Sequence, residues 1–191
     1  MLSRLLKKKQ ITKNASISIL GPSKAGKTTF VRYLESGLIQ EEAPLPTLGI
    51  DYRRKPVKVD GWAFNIIDVG GQKLYQEAFW ELAVEQSQGL IYMVDATKRP
   101  NKDPEEFQIH LNQFNYALDL IQDHIPILFL LNKQDMKQLN PIQPEEFGKL
   151  YSLKRLFKRT CSILPSSAKY GDGVEEAMMW FIEAISEKVF Q

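Results

Sequence analysis

The chain is predicted to form a single α/β domain: a six-stranded, mostly parallel sheet with helices on both faces and one antiparallel strand from a hairpin. Three observations lead there. Strand-length and helix-length segments alternate along the 191 residues, as they do when helices cover a parallel sheet. The runs GLIYMVD (89–95) and PILFLL (126–131) are almost unbroken apolar stretches, expected of strands buried on both faces. Asp60-Gly61, between Val59 and Trp62, is a two-residue hairpin signal, so the second and third strands run antiparallel.

Taken in order, ASISIL (15–20) is the first strand. The helix at 27–36 carries Phe30, Val31 and Leu34 at helical spacing. Strands follow at about 51–59 and at 62–68, then a helix at 75–86 and the strand at 89–95. The helix at 104–122 places Leu111, Phe114, Leu118 and Ile121 on one face. After the strand at 126–131 come a helix at 144–156, a strand at about 159–164 and a last helix at 173–190. That helix carries Ala177, Trp180, Phe181, Ala184 and Val189 on one side. No Gly/Ser linker divides the chain, so residues 14–191 read as one domain behind an extension at 1–13.

Composition excludes several classes. A hydrophobic share of 43% with 25% charged residues is ordinary for a globular domain, and a net charge of +2 is too small to argue for nucleic acid. The one cysteine, Cys161, rules out an internal disulfide and suits a reducing compartment; inside TCSIL it is expected to be a buried packing residue. There is no apolar run of membrane-spanning length and no secretory signal, so a cytoplasmic location is expected.

The chemistry begins at GPSKAGKT, which fits GxxxxGK[ST] with Gly21, Gly26, Lys27 and Thr28 between a strand and a helix. Glycines let successive N–H groups turn inward, and the helix N-terminus adds unpaired donors and partial positive charge. The segment Ser23, Lys24, Ala25, Gly26, Lys27, Thr28 and Thr29 is therefore expected to cradle phosphates, with Lys27 reaching the outer ones and the Thr28 hydroxyl ligating Mg²⁺. Lys24 adds a second cation there; a solvent-facing side chain is the plainer alternative. The loop alone leaves ATP and GTP both open.

Two further motifs narrow the choice. In NIIDVGGQ, Asp68 ends a strand at the sheet's mouth, where it can hold Mg²⁺ through water; Gly71 can offer its N–H to a terminal phosphate and Gln72 can orient an attacking water. LLNKQD supplies Asn132, Lys133 and Asp135. A carboxylate accepts two parallel hydrogen bonds from guanine, whereas adenine would leave a buried Asp135 unpaired, worth a discrimination on the order of 10⁴. Asn132 can bond the base's other edge and the loop, and the Lys133 stem can lie on the base face. In SSAK, the backbone at Ser167, Ala168 and Lys169 can meet the guanine carbonyl.

The ordered set GPSKAGKT, PT, DVGGQ, NKQD and SAK resembles the Ras-like small GTPases, and AGKTT, PTLGI, DVGGQ, NKQD and GDGVEEAMMWF resemble their Arf and Arf-like branch. The resemblance covers nearly the whole chain. It implies a P-loop small G domain, a GTP/GDP switch with Mg²⁺, and a role for Thr47 as a metal ligand and γ-phosphate contact in a first switch loop at roughly 38–50. A second switch loop falls at roughly 69–82, and loss of the terminal phosphate would release both. With no arginine finger in cis, slow hydrolysis and an accelerating partner are expected. An exchange factor, an activating protein and effectors are implied as partners, and nucleic acid is not.

Departures from the pattern are visible too. Ser23 stands where Arf proteins commonly have Asp. Ile50, Ile67 and Leu82 stand where many present aromatic residues to effectors. The stretch from Thr47 to Asp68 is longer, which bears on the two-residue hairpin slide of that family. In MLSRLLKKKQ, Met1, Leu2, Leu5 and Leu6 share a helical face, with basic residues mostly opposite. That suggests reversible membrane contact, each cation contributing about 1 kcal/mol near an anionic surface; a basic tail or a helix capping the domain are the alternatives. Leu2 and the ending EKVFQ predict neither N-myristoylation nor prenylation. Three functional readings follow: a GTPase switch at a membrane surface, a soluble GTP-binding scaffold with little hydrolysis, and a nucleotide kinase, against which NKQD speaks.

Overall fold

The computed structural model describes residues 13–39, 42, 44–52, 56–156 and 158–189. The amphipathic segment at 1–10 lies outside them. The elements are β1 (Lys13–Leu20), α1 (Lys27–Ser36), β2 (Ile50–Tyr52), β3 (Val57–Val59), β4 (Trp62–Val69), α2 (Lys73–Glu85), β5 (Gly89–Asp95), α3 (Pro104–Leu120), β6 (Ile127–Asn132), α4 (Pro144–Leu150), β7 (Cys161–Pro165) and α5 (Val174–Val189). Short 3₁₀ turns occupy Lys137–Leu139 and Leu153–Leu156.

The strands form one sheet in the order β2-β4-β1-β5-β6-β7, with β3 also paired to β4. β1, β4, β5, β6 and β7 are mutually parallel where they pair, and β2 and β3 run antiparallel to β4. The expected mostly parallel α/β sheet is thus the fold observed. At the hairpin tip Asp60 and Gly61 both have positive φ, 44° and 85°, as a type I′ turn requires.

The sheet has seven strands rather than six, because the strand expected at 51–59 is two. Tyr52 pairs with Ile67 and Val57 with Phe64. From the first pair to the second the β2–β3 side advances five residues while β4 advances three, so two extra residues interrupt the ladder. Pro56 sits in the interruption and has no N–H to donate to a neighbouring strand. The helix expected at 144–156 likewise stops at Leu150, since Ser152 takes a left-handed φ of 53°, and a 3₁₀ turn follows.

Alternation along the central strands builds two apolar layers. Ile91 and Met93 of β5, with Leu128 and Leu130 of β6, face α1 and α5, where Phe30, Val31, Ala177 and Phe181 complete the packing. Leu90, Tyr92 and Val94, with Ile127, Phe129 and Leu131, face the other way, onto Trp80, Phe114, Phe147 and Tyr151. All seven residues of β5 are buried, which explains why its sequence reads as one apolar run. Cys161 is half-buried rather than enclosed; burial still raises its thiol pKa, with Arg159 opposing.

Candidate functional site

The C-terminal ends of β1, β4, β5 and β6 open at one edge of the sheet, where an open α/β sheet ordinarily binds its ligand. A cavity of about 560 Å³ lies there. Its walls come from five separate stretches: the loop 23–29, residues 44–47, the loop 70–72, residues 132–136, and Lys169.

The loop after β1 turns into α1 through Gly26, which caps the helix in the left-handed region at φ 105°. A Cβ on Gly26 would stand 2.1 Å from Asn132 Nδ2, so only glycine lets the loop and β6 approach this closely. Lys24 also takes a positive φ, 62°, and its exposed side chain lies on the cavity wall. Lys27 is buried, and its Nζ donates to the carbonyls of Gly21 and Pro22, both at 2.8 Å. Burial lowers its pKa to about 8, with Asp68 pulling it back up.

At the loop's far end three oxygen-bearing side chains meet. Thr28 Oγ1 donates to Asp68 Oδ2 at 2.7 Å and lies 2.9 Å from Thr47 Oγ1, which is itself 3.4 Å from the same carboxylate oxygen. Two hydroxyls and a carboxylate form a hard-oxygen donor set, the chemistry that suits Mg²⁺ rather than a transition metal. Ser23 and Thr29 line the cavity beside them. Asp68, fully buried at the end of β4, stands behind that wall.

The opposite wall is stitched by Asn132. Its Nδ2 donates to Ala25 O at 2.6 Å and its Oδ1 accepts from Ala168 N at 2.8 Å. Both ends of the amide are therefore engaged by backbone, and Asn132 ties the loops together rather than presenting an open edge. Lys133, at φ 69°, reaches across to Asp95 with Nζ 2.6 Å from Oδ2. Asp95 is in turn held by Thr97 N and Oγ1, at 3.1 and 2.6 Å. Asp135 is exposed at the cavity rim, not buried as the base-recognition argument supposes, and its Oδ1 accepts from Ser167 Oγ at 2.7 Å. Ser167 and Ala168 are buried behind the wall, while Lys169 is on it, its Nζ 5.1 Å from the centre of the Tyr170 ring.

Gln72 is exposed on the cavity wall as the N-cap of α2. Before it, Gly71 lies so close to the loop after β1 that a Cβ would stand 2.4 Å from Pro22 C and Ser23 N. Gly70 donates its N–H to Gly49 O at 2.8 Å. Two residues outside every motif also reach this loop: Trp80 Nε1 donates to Gly70 O at 3.2 Å, and Gln113 Nε2 to Gly71 O at 3.3 Å. The sequence reading missed both, along with Asp95 and the wall residues Pro44, Leu45, Pro46 and Met136. Only Asp95, a carboxylate ending a buried strand, carried a signal that could have been read.

The geometry is matched by kinship. The ADP-ribosylation factor family model matches residues 1–185. ADP-ribosylation factor-like protein 3 of Chlamydomonas reinhardtii is 30% identical over 188 residues, covering 96% of this chain and 97% of that protein. ADP-ribosylation factor-like protein 2 of Arabidopsis thaliana is 29% identical over 193 residues, covering 100% of this chain and 97% of the relative. Among solved structures, the Arl6 BBS3 small GTPase of Trypanosoma brucei, with bound nucleotide analogue GppNp, superposes with a TM-score of 0.75. It shares 21% identity and covers 91% of this chain and 98% of its own, a likeness of fold. With the family match running over nearly all its length and five motif loops gathered on one cavity, the chain belongs to the ADP-ribosylation factor family of small GTPases.

Proposed function

We propose that this chain binds GTP and GDP with Mg²⁺, hydrolyses GTP slowly and acts as a switch whose loops at 44–50 and 69–82 respond to the terminal phosphate. The observation carrying this reading is the polarity of the cavity. One end holds the hydroxyl–carboxylate group of Thr28, Thr47 and Asp68; the other holds Asp135, aimed by Ser167. A nucleotide laid between them has its phosphates against the loop 23–29 and its base against Asp135. The carboxylate accepts from guanine N1–H and the exocyclic amine and remains unpaired against adenine. Lys133, pinned by Asp95, lays its stem along the base, and Ser167, Ala168 and Lys169 close the pocket round the base carbonyl.

Thr28 and Thr47 are the ligands for Mg²⁺, with Asp68 holding it through water. Bound there, the ion supplies neutralisation of the charge on the phosphate oxygens. Gln72 orients a water for in-line attack on the terminal phosphorus. Among the described residues, lysines 24, 27, 133 and 169 are the cations on the cavity wall, and a partner that brings an arginine accelerates hydrolysis. Residues 1–10 carry the membrane contact, and exchange factor and effectors meet the switch loops. No helix among the described residues is long and apolar enough to cross a membrane.

The test is direct. Nucleotide released from the purified chain is GDP or GTP, and Asp135→Asn lowers affinity for GDP by at least about tenfold, the scale of one hydrogen bond to a charged group. Release of ATP, or unchanged GDP binding in the variant, would overturn the guanine reading.

A further inference from the structure

We propose that Trp80 and Gln113 are positioning residues that aim the peptide groups of the Gly70–Gln72 loop, and through them make the site distinguish GTP from GDP. The inference rests on the nucleotide reading above and assigns its γ-phosphate discrimination to two side chains that touch no nucleotide.

The argument starts from the peptide unit. In a trans peptide the C=O and the following N–H point in opposite directions, and the described chain contains no cis bond. Trp80, fully buried in α2, donates Nε1–H to Gly70 O at 3.2 Å. That contact pulls the Gly70 carbonyl toward the helices and turns the Gly71 N–H the other way. Gln113, buried in α3, donates Nε2–H to Gly71 O at 3.3 Å and does the same for the Gln72 N–H. Gly70 N–H is already spent on Gly49 O. Gly71 N–H has no protein partner among the described residues, and both glycines line the cavity. The loop is thus held at four of its polar groups, since Gln72 O accepts from Tyr75 and Gln76 N–H, leaving the Gly71 and Gln72 N–H groups as the donors from which a terminal phosphate oxygen would accept.

Both pegs are set in rigid surroundings. The Trp80 ring stands edge-on to Tyr92, with centroids 6.2 Å apart at 84°, so the indole N–H has little freedom to follow a moving loop. The Gln113 amide has only one useful orientation, since a flip would set its oxygen against the Gly71 carbonyl. Its Oε1 is buried with no hydrogen-bond partner. A buried amide half-satisfied in this way costs stability, and an apolar side chain of the same length would avoid the cost; its retention beside the reacting end of the cavity fits a functional use. GDP lacks the phosphate that the Gly71 N–H would meet, so the pegs act on GTP and leave GDP untouched.

The experiment measures affinity for GDP and for a non-hydrolysable GTP analogue, with Mg²⁺, in the full chain and in Trp80→Phe and Gln113→Met. Each variant removes the donor and leaves an apolar side chain in its place. The expected result is a loss of about tenfold for the GTP analogue, the scale of one charge-assisted hydrogen bond made poorly, with GDP affinity unchanged within about twofold. A donor that merely supported the fold would move both affinities together or neither, and either outcome overturns the proposal. Should Trp80→Phe fail to fold, the same ratio is read from Gln113→Met, which leaves the indole in place. A wild-type chain that binds GDP and GTP equally, with ratios unmoved in the variants, sinks the positioning role alone; one that binds neither sinks the nucleotide reading with it.

Discussion

Gln72 stands at the first residue of the α2 cap with its side chain exposed on the cavity wall. Its carbonyl is taken by Tyr75 and Gln76 N–H, which fixes the backbone while leaving the amide able to reach a water. Gln72→Leu removes that amide without disturbing the cap. Single-turnover GTP hydrolysis is expected to slow at least about tenfold, some 1.4 kcal/mol of barrier, with nucleotide affinity retained. An unchanged rate would reject Gln72 as the residue that orients the water. At the same scale, some roles read from residue type alone were altered by neighbours. Asn132 spends both ends of its amide on Ala25 and Ala168, and Asp135 is an exposed rim carboxylate rather than a buried one.

At the scale of an element, α3 carries a buried titratable group. His110 is buried, its Nδ1 has no hydrogen-bond partner, and its Nε2 is 3.9 Å from Glu106. Burial lowers its pKa; Glu106 and Asp95 oppose that, and Lys98 and Lys133 reinforce it. The unfolded chain therefore takes up a proton near pH 6.5 while the folded chain resists. Stability from the neutral imidazole is present above about pH 6.5 and is lost as pH falls from there through the lower folded-state value. The thermal midpoint is expected to drop as pH falls below about 6.5, and His110→Gln, which does not titrate, to flatten that slope. Equal slopes in the two proteins would show that other groups govern it. The hairpin elements illustrate another limit. Asp60-Gly61 announced the turn, but the two residues that interrupt the ladder at Pro56 emerge only from the offset between Tyr52↔Ile67 and Val57↔Phe64.

At the scale of the molecule, the cavity sits at the edge where β1, between β4 and β5, delivers the glycine-bearing loop that leads into α1. The proposed membrane contact rests on the apolar and basic residues of MLSRLLKKKQ. Flotation with anionic liposomes is expected to rise with GTP over GDP, to weaken as salt screens the cations, and to fall when residues 1–10 are removed. Equal flotation of the full and shortened chains would favour the soluble scaffold.

The order and spacing of the loops in sequence were enough to determine the fold, the family and which short stretches meet at the site, because strand–loop–helix periodicity and glycine placement are local properties of the chain. What only the tertiary structure decided is how those stretches hold one another. Trp80 pegging Gly70, Gln113 pegging Gly71 and Asp95 pinning Lys133 join residues far apart in sequence. A hydrogen bond of that kind depends on distances of a few tenths of an ångström between surfaces that are brought together only when the sheet and its helices pack.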